Sequence, residues 1–69
     1  MDEFKISLAA ARVNAKMTQD DVAKYLKISK KTLVNWEKGT VIPNFASVHA
    51  LADLYHISED YIFLPQKST

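Results

Sequence analysis

The chain has 69 residues, 48% hydrophobic and 25% charged, with a net charge of +1 and no Cys. That length holds one domain near the lower limit of independent folding, too small to wall a deep pocket, which argues against a small-molecule enzyme and for a surface-binding module. Without Cys a disulfide scaffold and a Cys-based zinc site are excluded, and with no apolar signal region in MDEFKISLAA and no apolar run of membrane length the expected location is the cytosol.

No stretch alternates with period two, while several carry apolar residues three and four apart, so the expected fold is all-α without strands. A first helix is expected from about Phe4 to Asn14, with Phe4, Leu8 and Ala11 on one side. Thr18 reads as an N-cap with Asp21 as its capping-box partner, and Asp20 suits the helix dipole. The second helix then runs to about Leu26 with Val22, Ala23 and Leu26 inward. Ser29 caps a third helix that ends at Lys38, where Gly39 supplies a left-handed residue. After an extended Thr40 to Pro43, Asn44 caps a fourth helix whose Phe45, Val48, Leu51, Ala52 and Tyr55 repeat at helical spacing. Ser58, followed by Glu59 and Asp60, opens a short fifth helix to about Leu64. The domain is thus set at residues 1–64, and residues 65–69 are expected to form a loose tail.

Between the second and third helices lie only Lys27 and Ile28 before the Ser29 cap. So tight a connection forces a steep crossing, the helix-turn-helix arrangement. Ala23 lets the two helices approach, and Ile28 plugs the turn from inside.

Charge is unevenly spread along the chain. Residues 22–38 carry Lys24, Lys27, Lys30, Lys31 and Lys38 against Glu37 alone, whereas residues 39–66 carry Asp53, Glu59 and Asp60 with no Lys or Arg. An ordinary solvated lysine face would look the same by composition; the helical wheel is more specific. At roughly 100° per residue from Leu33, Trp36 and Glu37 lie near the buried side, while Lys31, Asn35 and Lys38 fall about 140–200° away and point outward. Lys30 and Lys31 oppose their own helix dipole, which costs about 0.3–1 kcal/mol each. That placement makes sense if phosphates or guanine edges neutralise them, and the Asn35 amide can pair with adenine in a major groove.

The stretch MTQDDVAKYLKISKKTLVNWEKGTVIPN resembles the helix-turn-helix core of the Cro/repressor (Xre-like) family of bacterial and phage transcription regulators. Thr18-Gln19, Val22-Ala23, Leu26, Ile28-Ser29, Thr32, Leu33, Trp36-Glu37 and Gly39 stand at the family spacing. Pro43, Leu51-Ala52, Ile57-Ser58 and Ile62 fit its C-terminal helices. The resemblance implies a compact five-helix, lambda-repressor-like domain with no cofactor, no bound metal and no small-molecule substrate. It implies that Gln19 positions the domain on a phosphate, that Lys30, Lys31 and Asn35 read base edges with Thr32 near the backbone, and that Lys38 and Thr40 touch phosphate. It also implies a partly buried salt bridge between Arg12 and Glu37. Lys27 and His56 stand where the family has Gly, so strain is expected at both. Asp20 and Asp21, so close to Gln19, would have to point aside.

Other chemistries fit less well. His49, Asp53 and His56 share one helix stripe, but an exposed face ending in a dipole-friendly His explains the same letters. Ser7, Ser29, Ser47 and Ser58 read as caps or surface, with no nucleophile–base set, and Tyr25, Trp36, Tyr55 and Tyr61 read as core and core-edge aromatics. The C-terminal Ile62, Phe63 and Leu64 exceed what a two-turn helix can bury, which marks a candidate homodimer surface. The alternatives are that this surface docks onto a further sensor domain of a longer repressor, or that the chain is an antitoxin binding its toxin there.

Overall fold

Ser7, Thr18, Ser29 and Asn44 each place a side-chain oxygen 2.8–3.0 Å from the backbone N–H three residues on, and an α-helix starts behind each of them. In the computed structural model, which describes residues 4–64, these helices are α1 (Leu8–Asn14), α2 (Gln19–Leu26), α3 (Lys30–Lys38) and α4 (Phe45–Tyr55). At Thr18 the box is reciprocal, because Asp21 Oδ2 accepts from the Thr18 N–H at 2.9 Å. That N–H, and then the Thr18 hydroxyl, hold the Asp21 carboxyl below the ordinary carboxylate range.

The helices also end alike. Lys16, Lys27, Gly39 and His56 are all left-handed, with φ of 61°, 59°, 81° and 57°. In each case the N–H of the following residue reaches back five positions: Met17 to the Arg12 carbonyl, Ile28 to Ala23, Thr40 to Asn35 and Ile57 to Ala52. This is the Schellman closure, repeated four times. Met17, Ile28 and Ile57 then fold inward onto the core, so each of those turns is closed by a bond on one side and an apolar plug on the other.

The core is built from Leu8, Ala11, Val22, Leu33, Trp36, Leu51, Ala52, Tyr55 and Ile62, with Val22, Leu33 and Leu51 wholly out of water. Burying an aliphatic side chain of this kind contributes about 1.5–3 kcal/mol, so the small core rests on few residues. The α2–α3 pair packs directly, joined by Lys27, Ile28 and the Ser29 cap.

Four expectations need correction. The first helix starts at Leu8, since the Ser7 hydroxyl takes the Ala10 N–H and Phe4 lies before it, 64% exposed. The segment after Ser58 is no α-helix: Glu59–Tyr61 make one 3₁₀ turn, and Ile62–Phe63 then extend. Extension wins because Ile62 and Phe63, a β-branched and an aromatic residue, find a partner. They form β2, which pairs in parallel with β1 (Ile6–Ser7) in the register Ile6 with Ile62 and Ser7 with Phe63, so the described residues do contain strands. Phe45 is also outside the core, because Asn44 to Ala46 are all exposed and the first turn of α4 overhangs its neighbours. The expected loose tail, residues 65–69, lies outside the described residues.

Candidate nucleic-acid interface

The third helix has two unlike sides. Leu33 and Trp36 are buried beneath it, while Lys30, Lys31 and Lys38 are exposed, with Thr32, Val34 and Asn35 half-buried between. The backbone carbonyl of Asn35 is occupied, accepting from Thr40 at 3.0 Å and Val41 at 3.3 Å. Its side-chain amide bonds to no described residue and keeps its full donor and acceptor capacity. Thr32 is less free, because its hydroxyl lies 2.9 Å from Ser29 Oγ. Thr40 is exposed just past the end of the helix, beside Lys38.

Beneath this surface a charged network joins three helices. Glu37 Oε2 accepts from Arg12 Nε at 2.8 Å, and Glu37 Oε1 accepts from Gln19 Nε2 at 2.9 Å and from Arg12 Nη2 at 3.4 Å. Arg12 Nη1 also donates to the Met17 carbonyl at 3.0 Å. The two charged side chains are 15% and 7% exposed, so the pair is largely shielded from water. Gln19 therefore uses one amide N–H inside the fold and retains one for the outside. Of the two acids in doubt, Asp21 is tied into its cap, while Asp20 is exposed and lies 3.6 Å from Lys30 Nζ.

Close to this network sits a group that sequence reasoning assigned only to the core. The hydroxyl of Tyr55 is buried and has no hydrogen-bond partner among the described residues. Burial first, and the nearby Glu37 carboxylate second, push its phenol up to about 12, against a smaller opposing effect of Arg12.

The residues expected at a C-terminal partner surface are split. Ile62 is buried, Leu64 is half-buried against the core, and Phe63 alone is clearly exposed, at 52%. Two residues not expected there join it at the surface: Phe4 and Tyr61 meet edge to face with ring centroids 6.1 Å apart. Tyr61 and Tyr25 are thus exposed and not core-edge aromatics. His49 Nδ1 lies 2.8 Å from Glu59 Oε2, so of the stripe of His49, Asp53 and His56 it is His49 that is tied to the 3₁₀ turn. Among the described residues no group of three or more His, Cys, Asp or Glu is placed to hold a metal ion, and no helix is long and apolar enough to cross a membrane.

Two helices joined by a tight turn, the second showing lysines and a free amide to water, define the class of helix-turn-helix DNA-binding domains. The helix-turn-helix family model of the Cro/repressor type matches residues 8–62, most of the 69-residue chain, and the chain belongs to that family. The family is one of DNA-binding transcription regulators and not of enzymes, so double-stranded DNA is the partner of this domain. No curated protein and no solved structure matches the chain.

Proposed function

We propose that the chain is the sequence-specific DNA-binding domain of a bacterial or phage repressor, which lays α3 in the major groove of its operator. The observation that carries this reading is α3 itself, which exposes Lys30, Lys31 and Lys38 and carries the unbonded side-chain amide of Asn35 between them in sequence. Asn35 pairs with an adenine edge, Lys30 and Lys31 reach guanine edges or phosphates, and Thr32, Lys38 and Thr40 meet the sugar–phosphate flank. Gln19 offers its remaining N–H to a phosphate while Glu37 holds its other one. Repression needs nothing further, since an occupied operator is closed to other proteins.

One such unit reads few base pairs, so the domain acts as a homodimer whose two recognition helices lie about 34 Å apart on one side of the duplex. The exposed rings of Phe4, Tyr61 and Phe63 supply the apolar contact for that pairing. The same rings favour a second reading, an antitoxin that covers its toxin with this surface and binds DNA secondarily.

The test is the salt dependence of binding to duplexes selected from a random pool. The proposal expects log affinity to fall with log salt at a slope of several units. Lys38→Ala, which removes a phosphate contact, weakens all sequences alike, whereas Asn35→Ala relaxes discrimination at one base pair, a change of about 1–3 kcal/mol. Unchanged sequence preference in the Asn35 variant would remove that residue from the readout. Salt-insensitive DNA binding beside tight capture of a protein partner would favour the antitoxin.

A further inference from the structure

A shallow cleft at the corner between α1 and α2 brings together Arg12 from the last turn of α1, Lys16 from the turn after it, Gln19 and Asp20 from the start of α2, and Lys30 from the start of α3. Its three cations are not equivalent. Arg12 is held by Glu37, and Lys30 has Asp20 at 3.6 Å. Lys16 is exposed and makes no ion pair or side-chain hydrogen bond with any described residue, so its charge is uncompensated on a surface it shares with Gln19 and Lys30.

The backbone adds a second observation. Lys16 is left-handed at φ 61°, a conformation that Gly adopts without the steric cost, on the order of 1 kcal/mol, that a side chain brings. Strain alone does not single it out, because Lys27 and His56 share the conformation. What distinguishes Lys16 is its company: neither of the other two lines this cleft. Lys16 is thus the cation of this cleft that no described residue holds.

We propose that Lys16 grips a backbone phosphate beside the major groove, an interaction independent of sequence that clamps the α1–α2 corner onto DNA. The assignment rests on the DNA-binding reading above and extends its footprint to a turn that the recognition helix does not cover.

The experiment follows the fluorescence anisotropy of a labelled random-sequence duplex across a salt series, for the wild type and for Lys16→Gly, Lys16→Gln and Lys16→Arg. Because each neutral variant leaves one phosphate with its own counterions, Lys16→Gly and Lys16→Gln shallow the log–log slope by about 0.9, and Lys16→Arg restores it. Lys16→Gly melts no lower than the wild type, which separates the weaker binding from unfolding. Neutral variants that keep the full slope of a steeply salt-dependent wild type overturn the Lys16 assignment and leave the DNA reading intact. A wild type whose binding ignores salt overturns both.

Discussion

Lys27 holds a β-carbon where the backbone has least room for one, at φ 59° and ψ 43° in the turn of the motif. Replacing it with Gly removes a cost on the order of 1 kcal/mol, worth about 4–8 °C in melting temperature for a domain of this size. Thermal unfolding followed by circular dichroism checks this, and a Lys27→Gly variant that melts at or below the wild type contradicts it. Tyr55 illustrates the opposite economy, a buried hydroxyl that no described group bonds. Such a group costs about 1–3 kcal/mol when left unsatisfied, so Tyr55→Phe is expected to raise stability by about 1 kcal/mol in urea. The pH dependence has a definite sign. Because the folded phenol is pushed up to about 12 from an ordinary value of 10.0, the folded state keeps the proton longer than the unfolded chain. Stability from this source is whole below about pH 10 and falls as pH rises through about 12, and Tyr55→Phe abolishes that alkaline loss. Urea midpoints that decline equally in both proteins above about pH 10 would assign the loss elsewhere.

The helices are tied to one another through Glu37, which receives Arg12 from α1 and Gln19 from α2 while belonging to α3 itself. Removing it leaves a guanidinium that is 15% exposed without its counter-ion, and Glu37→Ala is expected to cost about 3 kcal/mol. Urea melts of Glu37→Ala, Arg12→Ala and the double variant check this: the double loss should be well below the sum of the single ones. Additive losses would mean that the pair is not coupled. Elements of this kind differ in how far the sequence reveals them. Thr18, Ser29 and Asn44 were readable as caps because each acts on an N–H three residues away, and Gly39 marked its helix end for the same local reason. The family resemblance, not the spacing, joined Arg12 to Glu37, and the bond from Gln19 to Glu37 spans two helices with no local mark. The β1–β2 pair was invisible because its strands are two residues long and meet only when the chain closes on itself. Helical spacing likewise recruited Phe4 and Phe45 to the core, since periodicity does not say where a cap stops the helix or where a helix outruns its neighbours.

Over the whole molecule, the division of labour follows from one small core. Leu33, Trp36, Val22 and Leu51 fix the roll of α3, and that roll decides which of its side chains face water. Exposed lysines lie on α3 and at the α1–α2 corner, while the exposed aromatics Phe4, Tyr61 and Phe63 lie in or next to the β1–β2 pair. On the proposed reading the lysine face meets the duplex, and the aromatic surface is left for a protein contact. Nitrogen–proton correlation spectra recorded while a selected operator duplex is titrated into the labelled protein test this arrangement most directly. The account predicts that the largest amide and side-chain shifts fall on Lys30, Lys31, Asn35 and Lys38; a titration that moves other surfaces and leaves residues 30–38 unchanged contradicts it.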